Sequence, residues 1–256
     1  MSQLLNYKDE GQGSCVILIH GLFGSLSNLG LLAKDLATDH RVISVDVRNH
    51  GQSFHHSEHN YAAMADDIAQ LLGQLNIDGF TVIGHSMGGK IAMQLSARLA
   101  TQCAKAVVLD MAPVRYPERH HDAVFAGLKA VAKQRPNSRQ QALSVLAQHI
   151  EQPEVCQFLS KSLYKENDQT FAWRFNVDSL WDNYHNILDW QPLPASQLPI
   201  LFLKGANSDY IKPEFQTQIT TQFPQAKAHI IANTGHWLHA EKPQEVNRAI
   251  RRFLTT

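Results

Sequence analysis

Ser86 stands in Gly84-His85-Ser86-Met87-Gly88, between the apolar run Phe80-Thr81-Val82-Ile83 and a helix-like stretch from Lys90 to Leu99. A strand, tight turn and helix in that order hold a serine hydroxyl clear of the strand end, where a base and a substrate can both reach it. Gly84 and Gly88 leave out Cβ atoms where turn and helix crowd together. A serine hydroxyl is a weak nucleophile at neutral pH. It needs a positioned base, and the base needs a third group to fix its tautomer. Of fourteen histidines, His236 in Gly235-His236-Trp237 follows the last expected strand and is the candidate base. Two acids satisfy the chain order Ser, Asp, His: Asp110, which ends Val107-Val108-Leu109-Asp110, and Asp209, which follows Gly205-Ala206-Asn207-Ser208. The backbone N–H groups of Leu22, in His20-Gly21-Leu22-Phe23-Gly24, and of Met87 are the candidate donors to an oxyanion. The chemistry expected of such a set is attack of Ser86 on a carbonyl. No metal or organic cofactor is expected. His55, His56 and His59 make at best a weak metal cluster, and most of the histidines other than His236 are expected at the solvated surface.

These groups must be carried by a scaffold that brings distant loops together. Short β-branched runs at Val16–Ile19, Arg41–Val45, Phe80–Ile83, Ala106–Leu109, Pro199–Leu203 and Ala228–Ile231 alternate with helical patterns at Leu29–Leu36, Met64–Leu75 and Ile91–Leu99. Such alternation predicts an α/β fold with a mostly parallel central sheet flanked by helices. Val246, Ala249, Ile250 and Phe253 predict a closing helix. From about Val114 to Pro194 no strand is expected, and helices are expected at Val124–Ala132, Arg139–Ile150 and Pro153–Ser162. The expected organisation is a core of residues 1–113 and 195–256 with a helical cap insertion at 114–194. Trp173, Trp181 and Trp190 are expected to pack that cap onto the core.

The 256 residues carry 23 Lys and Arg against 23 Asp and Glu, with no long run of one sign. Nothing in that balance resembles a footprint for nucleic acid or an anionic membrane, so the expected partners are small molecules, and the expected assembly is a monomer or small homo-oligomer. Three dispersed cysteines, the lack of an apolar stretch of about 20 residues and the lack of a signal-like N-terminus lead to the expectation of a reduced, cytoplasmic protein.

In His20-Gly21-Leu22-Phe23-Gly24, Asp46-Val47-Arg48-Asn49-His50-Gly51-Gln52-Ser53 and the serine turn, taken in order, the chain resembles the α/β-hydrolases. It is most similar to the small YbfF-like bacterial esterases, through Leu22-Phe23-Gly24-Ser25, Asp110-Met111-Ala112-Pro113, Trp173-Arg174-Phe175-Asn176 and Gly235-His236-Trp237-Leu238-His239-Ala240-Glu241-Lys242-Pro243. Many α/β-hydrolases place their acid three residues after the glycine that ends the later strand. Here that place holds Ser208, and the resemblance favours Asp110. It implies hydrolysis of acyl esters or thioesters through an acyl-enzyme. Arg115 and Arg119, which enter the expected cap, suggest an anionic portion of the substrate. Carbon–carbon bond hydrolysis or lyase chemistry is the alternative on the same fold, and a ligand-binding homologue without catalysis is a further one. A dehalogenase or epoxide hydrolase is disfavoured, because those relatives carry Asp where this chain has Ser86.

Overall fold

Val16-Ile17-Leu18-Ile19 offers apolar side chains to both sides of a strand, which is stable only where helices cover both faces of the sheet. The computed structural model describes residues 3–117, 120–167 and 169–255. Its strands are β1 (Tyr7–Glu10), β2 (Cys15–Ile19), β3 (Arg41–Val45), β4 (Phe80–His85), β5 (Cys103–Leu109), β6 (Leu163–Lys165), β7 (Phe171–Trp173), β8 (Ile200–Gly205) and β9 (Ala226–Ile231). Seven of them form one sheet in the order β1-β3-β2-β4-β5-β8-β9, parallel throughout except that β1 runs antiparallel to β3. The mostly parallel α/β architecture is as expected.

The helices are α1 (Gly30–Leu36), α2 (Tyr61–Gln74), α3 (Met87–Arg98), α4 (Asp122–Gln134), α5 (Arg139–Leu146), α6 (Pro153–Ser160), α7 (Val177–Asp182), α8 (Tyr184–Leu188), α9 (Gln216–Gln222), α10 (Leu238–Glu241) and α11 (Pro243–Leu254). Alternate residues of the strands serve opposite layers. Ile17, Ile19, Val82 and Val108 pack with Met64 and Ile68 of α2 and Ile91 of α3, while Val16, Leu18, Ile83 and Val107 pack with Leu32 and Leu36 of α1 and Ile250 of α11. Full burial of each such side chain stabilises the fold by roughly 1.5–3 kcal/mol.

Several details depart from the periodicity. α2 begins three residues before Met64, because the Asn60 side chain accepts the Ala63 N–H at 2.8 Å and caps a new first turn. The segment between β5 and β8 does contain strands: β6 and β7 pair as a short antiparallel hairpin. The remainder of that segment is helical, α4 to α8. Of its tryptophans, Trp190 reaches the core by donating from Nε1 to Gln222 Oε1 at 2.8 Å. Trp173 donates to Leu128 O at 3.0 Å and Trp181 packs on Phe125 with ring centroids 5.2 Å apart, so these two tie the segment to itself.

The register sets the site. Ile19 pairs with Gly84, His85 with Leu109 and Leu109 with Leu203, so β2, β4, β5 and β8 end in a row. The chain leaves β2 for β3 on one side and returns to β4 on the other. The carboxyl ends of strands flanking such a reversal form a crevice open to ligand.

Candidate active site

Ser86 follows β4 with φ 54° and ψ −122°, a left-handed backbone that non-glycine residues adopt only where their surroundings enforce it. Its N–H donates to Leu109 O at 3.0 Å. The turn closes because its flanks are bare. A Cβ on Gly84 would stand 2.0 Å from Gly88 O, and one on Gly88 would stand 2.3 Å from Ile19 O.

His236 lies in the loop between β9 and α10 and spans the gap between serine and acid. Its Nε2 is 2.8 Å from Ser86 Oγ and its Nδ1 is 2.7 Å from Asp110 Oδ2. An ionised carboxylate only accepts, so Nδ1 carries the proton and Nε2 is left to take one from the serine. Asp110 is fully buried and has φ 53°. Its Oδ1 accepts Gly205 N–H at 3.0 Å, and its Oδ2 also accepts the Ser208 hydroxyl. Asp209, the other candidate acid, is exposed, and it is Asp110 that meets His236. Tyr210 stacks on the imidazole with centroids 3.8 Å apart and planes 19° from parallel. The Tyr116 hydroxyl fixes that ring's backbone by donating to Tyr210 O at 2.6 Å while accepting Ala112 N–H at 2.9 Å. From below, His85 Nε2 donates to His236 O at 2.9 Å.

Leu22 and Met87 line the same cavity as Ser86 and His236. Among the described residues neither of their N–H groups is taken up by a loop or turn carbonyl, and the first turn of a helix, where Met87 sits, has no acceptor of its own. A serine hydroxyl against an imidazole of fixed tautomer, with two amides at the same cavity that no loop or turn carbonyl takes up, has the makings of attack on a carbonyl.

Residues 15–243 match the family model of the alpha/beta hydrolase fold. The chain belongs to the α/β-hydrolases. It is 47% identical to Esterase YbfF of Escherichia coli (strain K12), over 96% of this chain and 95% of that protein. It is 38% identical to the sn-1-specific diacylglycerol lipase ABHD11 of Mus musculus, over 93% of this chain and 80% of that one. A solved structure described as a marine microorganism esterase superposes with a TM-score of 0.94 at 32% identity, covering 98% of this chain and all of the other. Within the α/β-hydrolases the chain is a YbfF-like esterase, a carboxylic ester hydrolase.

The α/β-hydrolase cavity over Ser86 has a volume of about 990 Å³. Its inner part runs between α2, α4 and α8 and is lined by Tyr61, Met111, Tyr116, Val124, Tyr184 and Ile187; its mouth carries Leu31, Phe158 and Trp237, with the Phe158 and Trp237 rings 5.3 Å apart. Arg115 is exposed and does not line it, and Arg119 lies outside the described residues. The charged side chains at the lining are Glu154, Lys161 and Glu241 instead. His55, His56 and His59 do not converge on a point. His55 Nε2 contacts Arg174 O, His56 Nδ1 accepts Glu58 N–H, and His59 is buried against His50 with ring centroids 5.5 Å apart. Among the described residues no group of three ligating side chains is arranged to hold a metal ion, and no helix is long and apolar enough to cross a membrane.

Residue spacing did not single out the buried polar frame behind the site. Asp46 accepts Leu26 N–H at 2.7 Å through Oδ1, and Gln52 N–H at 2.9 Å and Asn6 Nδ2 at 2.7 Å through Oδ2. Five buried histidines, His20, His50, His59, His85 and His239, and the half-buried His121 are all held below the ordinary imidazole range because desolvation penalises the charged ring. Burial takes His59 down to about 3 and both His121 and His239 to about 4.

The unfolded chain takes up protons at these rings as pH falls through about 6.5, while the folded chain takes them up only at lower pH. Each ring therefore contributes fully above that pH, and its contribution is lost as pH falls toward its folded value. Urea titrations are expected to show stability falling from pH 6.5 to pH 5, with a slope of up to about 1.4 kcal/mol per pH unit for each ring that stays neutral. His59→Asn is expected to make that slope shallower by close to one proton. A stability flat across this range would show that these rings are charged in the fold.

Proposed function

We propose that Ser86, His236 and Asp110 hydrolyse acyl esters, or acyl thioesters, through an acyl-enzyme. The observation that carries this reading is the continuous contact from Ser86 Oγ through both ring nitrogens of His236 to Asp110, at 2.8 and 2.7 Å, on the floor of the cavity. Ser86 Oγ attacks the carbonyl carbon as His236 Nε2 takes its proton, and the carbonyl oxygen, now negative, is held by the Leu22 and Met87 N–H groups. Collapse expels the alcohol or thiol, which receives the proton from Nε2. The acyl group remains on Ser86. Water then repeats the sequence, giving its proton to Nε2 and its oxygen to the acyl carbon, and Ser86 recovers its proton as the acid leaves. Asp110 keeps the Nδ1 proton in place and stabilises the ring while it is charged. The aromatic inner part of the cavity takes the apolar part of the substrate, since burial of apolar surface there needs no polar partner.

A fluorophosphonate, whose phosphorus forms a stable bond to an activated serine, tests the assignment. One adduct per chain, mapped by mass spectrometry to the peptide of Ser86 and accompanied by complete loss of p-nitrophenyl butyrate hydrolysis, is expected. A fully labelled chain that still turns over the ester would reject it.

A further inference from the structure

The Asp46–Ser53 signature carries no group that reaches the cavity, yet it holds a fully buried histidine whose two nitrogens are both committed. His50 Nδ1 lies 3.0 Å from Arg48 O, a carbonyl that only accepts, so Nδ1 bears the proton and Nε2 is a bare acceptor. That acceptor takes the Phe23 N–H at 3.1 Å, across 27 residues of chain. His20 makes the reciprocal connection. Its Nδ1 donates to Gly21 O at 2.8 Å, and its Nε2 accepts Val47 N–H at 3.2 Å. The two rings lie 5.2 Å apart and lock the two loops to each other.

The consequence falls on Leu22. A peptide unit is planar, so the direction of Gly21 O fixes the direction of Leu22 N–H, and the direction of Phe23 N–H fixes the next plane. His20 grips the first plane and His50 the second, which leaves Leu22 no freedom to turn its amide. The grip is needed because Phe23 has φ 61°, a left-handed backbone that an aromatic residue keeps only where its surroundings enforce it. The Ser162 hydroxyl holds Phe23 O at 3.2 Å, and Phe125 and Phe175 hold its ring at 5.2 and 5.5 Å.

We propose that His50, acting with His20, is a positioning residue that aims the Leu22 N–H at the carbonyl oxygen of the substrate. It touches no substrate, and it acts on the rate of acyl transfer through the donor it sets. The proposal rests on the reading that Ser86 attacks a carbonyl.

The test compares two side chains of nearly the same polarity. In His50→Gln the amide oxygen reaches the place of Nε2 and can accept the Phe23 N–H, whereas in His50→Asn it stops at the place of Nδ1 and cannot. Wild type and both variants are titrated with a fluorophosphonate so that kcat for p-nitrophenyl butyrate is expressed per reactive serine, and the affinity of an alkyl boronic acid is measured beside it. Loss of one oxyanion donor costs about 10²–10³ in kcat, and its misalignment in His50→Asn is expected to cost about 10- to 100-fold with KM little changed. Boronic acid affinity is expected to fall in parallel, since its tetrahedral adduct uses the same donor. His50→Gln is expected to recover to within about fivefold of wild type.

A purely structural role would lower the melting temperature and the number of reactive serines but leave kcat per serine unchanged. That outcome, or equal loss in both variants, overturns the proposal. If His50→Asn does not fold, His50→Met, of similar volume and with no oxygen or nitrogen acceptor, takes its place: kcat per serine and boronic acid affinity are expected to fall about 10- to 100-fold below those of His50→Gln, and values equal to those of His50→Gln refute the proposal. Wild type that fails to label at Ser86 would instead refute the reading on which the proposal rests.

Discussion

Alanine in place of Ser86 is expected to lower kcat for ester hydrolysis by about 10⁶-fold, the scale seen when a serine nucleophile is removed from a comparable relay. Among the described residues the one side-chain hydrogen bond of the hydroxyl is with His236 Nε2, at a face open to the cavity, so its loss strands no enclosed partner. Alanine also meets the left-handed backbone at φ 54° under the same restraint as serine. The melting temperature is therefore expected to stay within a few degrees while activity collapses. The residual rate is expected to reflect binding and the proposed donation from the Leu22 and Met87 amides during attack by water. Ester turnover by the purified variant above about one part in a hundred of wild type would remove Ser86 from the chemistry.

Asp110→Asn is expected to lower kcat by about 10⁴-fold, because an amide cannot satisfy three converging donors. Gly205 N–H, the Ser208 hydroxyl and His236 Nδ1–H all point at this carboxylate. If the amide nitrogen faces His236, the proton is driven to Nε2 and the ring can no longer accept from Ser86. If the amide oxygen faces His236, the nitrogen is forced against Gly205 N–H. Either way a buried donor goes unpaired, at a stability cost of about 1–3 kcal/mol. Asp209→Asn, on an exposed side chain, is expected to leave kcat within about twofold, as surface changes usually do. The reverse pattern, a small effect at 110 and a large one at 209, would transfer the acid to Asp209. Urea titration of both variants separates lost catalysis from lost fold.

Ser86 and its turn were legible in the sequence because every requirement there is local: a strand, two glycines and a helix within about twenty residues. The acid was not decided by residues alone, since Asp110 and Asp209 both follow strands and only the approach of β5 and β8, with Leu109 beside Leu203, shows which one faces His236. β1 left no pattern to read, for three of its four side chains are exposed and nothing alternates. The β6–β7 hairpin has three residues in each strand, and α7 and α8 have six and five, too short for a period to register. Arg115 looked suited to an anion from its place after the acid, but that exposed side chain is not on the cavity wall. The place of His50 was hidden for the opposite reason, being fixed by a partner 27 residues away.

Ser208 occupies the place that holds the acid in many α/β-hydrolases, and here its hydroxyl meets the same carboxylate oxygen that faces His236 Nδ1. The two positions therefore address one point in space from neighbouring strands. An acid carried on either strand would thus face the same nitrogen of His236, with Ser86 and the ring left where they are. The geometry of the relay is therefore set by the place where β5 and β8 end side by side, and not by which of the two strands bears the carboxylate.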